Sequence, residues 1–349
     1  MDNILPAYND PLFSILIIII LVLIVAVSSI FIGNYKEKKK TNALKKFLGG
    51  FKQDNSVLNI EEMPFEEALI QPLILLAKAF KTQGEYQKSI NLNLYLIDNI
   101  SNFYKKEEIL EQLGKTYLKA GFLKRSKSIF LEILKKHPRN KEALRYLSIV
   151  LELMHEFDGA LETLTPLAIL GDNTKELEAH IKLTQLLENK KISNSTKVDE
   201  LTKLLQNKHY SYRRIMKALF NLNLELAWNN IDNEKIDAIL DILWFLPSLN
   251  LNFDIISKNE TLSAIYLAKG HIEPSNTKLK SKIFAIDTII AANQNADHKI
   301  DLLFSYGCGK CKNHFPINFT RCPKCYAIAT IQIKESLVKK QSQTRYSLL

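Results

Sequence analysis

The sequence predicts an all-α protein: a helical solenoid after one N-terminal transmembrane helix, with a small C-terminal four-cysteine β domain. Three observations carry this. The 349 residues hold only 11 Gly and 10 Pro, about half the usual combined share of ~12%, which disfavours a Rossmann sheet or a many-turned β-sandwich. A spaced pattern of small and aromatic residues recurs through the middle of the chain. All four cysteines fall between residues 308 and 325, so thiol chemistry is confined to the C-terminal end. The length allows two or three domains at ~100–200 residues each.

The first element is an anchor, residues 1–35. From Leu12 to Ile32 run 21 residues without a charge, 17 of them Leu, Ile, Val or Phe. At 1.5 Å per residue a helix of this length reaches about 31 Å, enough to cross a hydrocarbon core of ~30 Å. Insertion is then favourable by several kcal/mol, on the order of 0.3–0.6 per apolar residue. Ala26-Val27-Ser28 also fits the small-x-small pattern of a cleaved signal peptide. Against cleavage, the preceding stretch carries Asp2 and Asp10 and no Lys or Arg, and the apolar run exceeds the ~7–15 residues of a signal sequence.

Residues 36–64 form a basic juxtamembrane linker. Lys36, Lys38, Lys39, Lys40, Lys45, Lys46 and Lys52 are offset only by Glu37. Lysines flanking a span stay on the cytoplasmic side, so the short N-terminus is expected outside and the main body in the cytoplasm. Residues 36–52 and residues 301–349 each carry +6, residues 1–35 carry −2, and residues 53–300 sum to zero within the net +10. A neutral central body argues against a nucleic-acid-binding face, whereas juxtamembrane lysines are attracted to anionic lipid by ~1 kcal/mol each.

Residues 65–298 are expected to form the solenoid. Ala77, Phe80, Gly84 and Ser89 recur as Gly114, Tyr117, Gly121 and Ser126, then as Ser148, Leu151, His155 and Ala160, offset by 37 and 34 residues. Phe130 and Pro138 add to the second unit. Small residues let paired helices approach, and the larger ones fill the groove between them. Gly84, Gly121 and His155 sit where the chain turns. The spacing resembles the tetratricopeptide (TPR) pattern, which implies antiparallel helix pairs with a concave face that binds protein partners. Weaker units are expected over Tyr212–Leu246, with the turn at Asn230–Asn233, and over Thr261–Gly270. Residues 190–197 read as a loop. Tyr117, Arg145, Tyr146, Trp228, Trp244 and Phe245 are open to either packing or partner binding.

Residues 299–335 are the metal domain and 336–349 a flexible tail. Cys308-Gly309-Lys310-Cys311 and Cys322-Pro323-Lys324-Cys325 form two CxxC pairs separated by ten residues. Each pair can fold as a knuckle that aims two thiolates at one point. The metal ligands are therefore expected to be Cys308, Cys311, Cys322 and Cys325, in an S₄ site for Zn²⁺ or, alternatively, Fe. Lys310, Lys312, Arg321 and Lys324 neutralise the excess charge of four thiolates. His314 is not needed as a ligand. A redox disulfide pair is the rival reading, disfavoured by the cytosolic location and the lack of a βαβ context.

Taken together, anchor, solenoid and rubredoxin-like or zinc-ribbon knuckles resemble the lipopolysaccharide assembly protein B family. The closest residue matches are Tyr306, the four cysteines with their spacer, Cys322-Pro323-x-Cys325 and Thr330-Ile331. Lys312 stands where the family usually has Gly, and Thr320 and Ile328 replace aromatics around the second knuckle. The resemblance implies a non-enzymatic adaptor of the bacterial inner membrane. It would present the lipid A pathway deacetylase LpxC to the membrane protease FtsH, with neither nucleic acid nor a small-molecule substrate. A generic membrane-tethered TPR scaffold for another envelope complex is the alternative. An electron-transfer role would require iron. No HExxH, GxSxG or P-loop pattern supports a hydrolase.

Overall fold

The computed structural model describes residues 20–25, 27–28, 65–273, 281–295 and 300–339. It is mostly helical, with a small three-stranded antiparallel sheet at the C-terminal end. Residues 20–25 and 27–28 are helical with exposed side chains. Among the described residues no helix is long and apolar enough to cross a membrane. The rest of the expected Leu12–Ile32 span, the basic linker to residue 64 and the last ten residues of the expected tail lie outside the described residues. The chain divides into two compact units, residues 1–154 and 155–349.

Between residues 70 and 153 the first unit forms five helices: α1 (Ile70–Gln83), α2 (Tyr86–Asn99), α3 (Phe103–Lys119), α4 (Leu123–Lys136) and α5 (Lys141–Leu153). Asn102 and Asn140 start α3 and α5, their side chains accepting from the amides of Tyr104 at 2.9 Å and Ala143 at 2.8 Å. These bonds satisfy amides that the first helical turn leaves unpaired. At the other end, Gly84 and Gly121 adopt φ of 84° and 81°. There the amides of Glu85 and Phe122 reach back to the carbonyls of Phe80 and Tyr117 at 2.9 and 2.8 Å. This is a Schellman turn, which ends a helix with its last carbonyls satisfied.

The small residues of the repeat are buried where expected: Ala77 and Ser89 in the first unit of the pattern, Ser126 in the second, Ser148 and Ala160 in the third. Gly114 shows why size matters. A Cβ there would lie 2.7 Å from the Phe130 ring, and Ser126 Oγ donates to the Gly114 carbonyl at 2.8 Å. Tyr117 is 7% exposed and packs with Ile90 and Leu113, so it serves the core. Tyr146 stacks on Phe130 with centroids 5.7 Å apart, and Arg145 pairs with Glu142 at the surface.

The second unit begins at His155, which takes the glycine's left-handed place with φ of 60° and contacts Glu188 at 2.6 Å. Its helices are α6 (Phe157–Glu162), α7 (Leu164–Ile169), α8 (Lys175–Glu188), α9 (Asn194–Leu204), α10 (Tyr212–Leu222), α11 (Leu224–Asn229), α12 (Leu240–Trp244), α13 (Phe253–Ile256), α14 (Glu260–Lys269) and α15 (Phe284–Asn295). The break between α6 and α7 follows from Pro166, which cannot donate to the carbonyl of Glu162. Residues 194–197, read from sequence as loop, form the first turn of α9. Ser193 Oγ accepts from the Thr196 amide at 3.1 Å and starts that helix. The helix pair expected over Tyr212–Leu246 does turn near residues 230–232, yet both arms are interrupted. Asn223 diverts its side chain to the Leu226 amide at 3.0 Å, and the second arm opens as a 3-10 helix over Asn233–Ile239. Such side-chain capture competes with helix continuation. Over α14 the repeat returns, with Gly270 at φ 84°.

The sheet has the order β2-β1-β3, with β1 (Ile300–Cys308) central and antiparallel to β2 (His314–Phe315) and β3 (Ile331–Lys339). β3 thus runs four residues into the segment expected as tail. Along β1, Leu302, Phe304 and Tyr306 alternate inward, as the two-residue period of a strand requires. They join one core with Ile215, Leu219, Trp228, Leu243, Trp244, Tyr266 and Ile286 of the helices. The boundary expected at residues 298/299 therefore does not separate two cores. Trp228 and Trp244 are buried in it, whereas Phe245 is exposed and meets Phe304 edge-on at 5.5 Å.

Candidate metal centre

Cys308 is the last residue of β1, paired with Ile331, the first of β3. The chain then folds back on itself: the Lys312 amide donates to the Cys308 carbonyl at 2.8 Å and the Cys308 amide to the Asn313 carbonyl at 2.9 Å. The second knuckle repeats this. The Tyr326 amide donates to the Cys322 carbonyl and the Cys322 amide to the Ala327 carbonyl, both at 2.9 Å. The residue after each second cysteine, Lys312 and Tyr326, has φ of 59° and 58°. The matching bonds and angles make the two knuckles copies of one fold element.

The four sulfurs lie within 4.8 Å of one another. Across the knuckles, Cys308 and Cys325 are 3.7 Å apart, as are Cys311 and Cys322. A disulfide would need about 2.05 Å. The edge of a tetrahedron with metal–sulfur bonds of about 2.3 Å is about 3.8 Å. The geometry fits a metal ion at the centre of four thiolates, and the donor set suits a closed S₄ site. Cys308 and Cys322 are buried, and Cys311 and Cys325 half-buried.

The thiols are electrostatically unequal. Burial pushes Cys308 up, but the amides of Cys311 and Lys310 and the Thr330 hydroxyl, whose oxygen is 3.3 Å from the sulfur, together bring it down to about 6. Asn313 is the main cause that lowers Cys311. Burial raises Cys322 and, with the neighbouring thiols, pushes Cys325 up to about 12. Crowded thiols cannot all ionise without a cation among them.

The basic residues named from sequence divide. Lys324 Nζ donates to Asn313 Oδ1 at 3.0 Å, joining the knuckles, and Arg321 closes the second by donating to the Tyr326 carbonyl at 2.7 Å. Lys310 and Lys312 are exposed. His314 sits on β2, exposed and outside the sulfur cluster, 3.4 Å from Lys334 Nζ.

Behind the centre lies a buried ion pair that sequence reasoning missed. Arg213 of α10 grips Asp241 of α12 with both terminal nitrogens, at 2.5 and 2.6 Å, with both side chains under a tenth exposed. Tyr306 donates to the same carboxylate at 2.8 Å. Burial first, then the hydrogen bond to Asp241, push the Tyr306 phenol up to about 12. Trp244 Nε1 adds a bond to Asp301 at 3.0 Å. The sheet that carries Cys308 is thereby keyed to two helices. Separations of 28 and 65 residues left no local pattern to find.

No family model matches the chain. Its sequence is similar to lipopolysaccharide assembly protein B. The relatives from Escherichia coli (strain K12) and Escherichia coli O157:H7 are each 23% identical over 134 residues. That stretch is 38% of this chain and 34% of each relative, so the match spans about a third of their length.

Proposed function

We propose that the chain is a non-enzymatic adaptor, anchored in the bacterial inner membrane with its body in the cytoplasm, that regulates lipopolysaccharide synthesis. On this reading its TPR-like repeats and metal-bound knuckles present a lipid A pathway enzyme, the deacetylase LpxC, to the membrane protease FtsH. The observation that carries it is the similarity to lipopolysaccharide assembly protein B in a chain that also holds four sulfurs at tetrahedral spacing. The mechanism is effective concentration: the apolar Leu12–Ile32 segment holds the repeats beside a membrane-bound protease, and two weak contacts then act as one.

Zinc is the metal this reading assigns to Cys308, Cys311, Cys322 and Cys325. Four sulfurs complete its shell, so the ion holds the fold and offers no position for substrate. A purified protein with one zinc and no visible colour agrees; a red, redox-active protein would establish iron and electron transfer instead.

Crosslinking in native membranes followed by identification of the captured proteins tests the adaptor role. Recovery of the protease and of lipopolysaccharide-synthesis enzymes is expected. A second reading, a tethered scaffold for another envelope complex, is favoured by the limited extent of the similarity, 38% of this chain. Recovery of neither protein class would select it.

A further inference from the structure

Within the second unit, α8, α9, α10 and Thr320 of the segment joining the knuckles enclose a cleft of about 330 Å³. Leu187, Ala218 and Leu222 give it an apolar side, and Lys197, Arg214 and Lys217 its charge; no carboxylate lines it. An adjoining cleft shares Arg214, Lys217 and Thr320 and brings in His180 and one acidic residue, Glu176.

We propose that this cleft binds an acidic protein segment, taking a carboxylate among Lys197, Arg214 and Lys217 and an adjacent aliphatic side chain against Leu187, Ala218 and Leu222. The proposal rests on the adaptor reading and names the chemistry of one partner contact.

Lys197 is the cation that α9 contributes. It is 9% exposed, and its ammonium donates to the Leu187 carbonyl at 2.9 Å. Among the described residues it makes no ion pair. It also lines a neighbouring cleft that holds Glu188, a carboxylate paired with His155. Lys197 lies in the first turns of α9 (Asn194–Leu204), where the helix dipole disfavours positive charge. An incoming carboxylate would offset that cost. Arg214 is held by α8, its Nη1 3.0 Å from His180 Nδ1 and 3.3 Å from the His180 carbonyl and its Nη2 donating to Thr184 at 2.9 Å. Fixed there, its positive charge adds to the attraction that the cleft exerts on an anion. Lys217 is exposed and, among the described residues, likewise outside any ion pair.

The shape selects a peptide. No aromatic ring lines this cleft to stack a nucleobase. Its volume holds one or two side chains and not the paired acyl chains of a phospholipid. Thr320 also makes the knuckle segment one wall, so the site depends on the metal-bound fold without touching the metal.

The test uses the full-length, metal-loaded protein in detergent and an array of decapeptides: acidic–aliphatic sequences, their Gln counterparts, and basic sequences. Selective retention of the acidic–aliphatic set is expected. The best of these, fluorescently labelled, should lose at least tenfold in affinity with Lys217→Glu and with Lys197→Met, and weaken as salt rises. Lys124→Glu, on an exposed face of α4, should change nothing. Equal retention of the Gln peptides, or undiminished binding by Lys217→Glu, would overturn the proposal. So would displacement of the peptide by phosphatidylglycerol vesicles whose own binding needs Lys217, or by inorganic phosphate at equal concentration. If the array fails while membrane crosslinking recovers the protease, the adaptor reading stands and the cleft is not its seat. Peptide binding with neither protein recovered leaves the cleft and removes the adaptor.

Discussion

Between residues 70 and 153 five helices of 13–17 residues follow one another at a near-constant period, with a small residue buried at each crossing. After residue 155 the helices shorten to as few as four residues, 3-10 turns intervene, and one core runs from α8 into the sheet. The contrast shows two ways of folding with similar side chains. In the first region each hairpin is specified by contacts to its sequence neighbours, as in any stacked repeat. In the second, Arg213, Asp241 and Tyr306 join segments far apart in the chain, and the sheet they hold carries Cys308, one of four sulfurs gathered from two knuckles. Regularity ends where the helices share a core with that sheet.

Removing the metal should break this contrast most severely. Cys308→Ser with Cys311→Ser is expected to abolish metal binding, measured by elemental analysis. It should also expose the region after residue 281 to limited proteolysis while leaving residues 70–153 resistant, because structural metal binding and local folding are one process.

Next in size is Asp241→Ala. It leaves the Arg213 guanidinium buried without its carboxylate, a loss of about 3–5 kcal/mol that urea unfolding of the second unit would register. Tyr306→Phe removes one donor to that carboxylate and should cost about 1–3 kcal/mol. It also has a pH signature. The folded-state phenol is raised, so its contribution is complete below the ordinary tyrosine value near 10 and disappears as pH climbs toward about 12. Buried Tyr266 is raised in the same direction. Stability of the second unit should therefore decline above pH ~10, less steeply in Tyr306→Phe than in the parent protein.

Gly114→Val probes the repeat. Added carbons would press on the Phe130 ring and are expected to destabilise by about 1–3 kcal/mol, seen as earlier urea unfolding of residues 70–153 with metal content unchanged. The smallest effect is a gain. Lys312 holds a left-handed angle that a glycine adopts freely, so Lys312→Gly should stabilise the metal-loaded protein by about 1 kcal/mol in the same assay.

Much of the first region was legible because its signals are local. The 37- and 34-residue offsets mark Gly84, Gly121 and the crossings at Gly114 and Ser126, and put His155 in a turn. The cysteine spacing likewise named the four sulfurs that the fold gathers. What escaped was long-range or masked by polar composition. Ser193-Asn194-Ser195-Thr196 looks like loop until Ser193 is seen capping α9. Asn223 gave no sign that it would interrupt a helix pair. The sharing of one core by sheet and helices rests on Leu302, Phe304 and Tyr306, whose helical partners no local pattern names.

A metal held by the four sulfurs is expected to stabilise the second unit and not residues 70–153. Hydrogen exchange on the full chain, metal-loaded and then chelated, measures this. Chelation should erase protection over Ile300–Lys339 and weaken it in α10 and α12, where Arg213 and Asp241 anchor Tyr306, while α1 to α5 keep theirs. Equal loss in both units, or protection that survives chelation in β1 and β3, would contradict it.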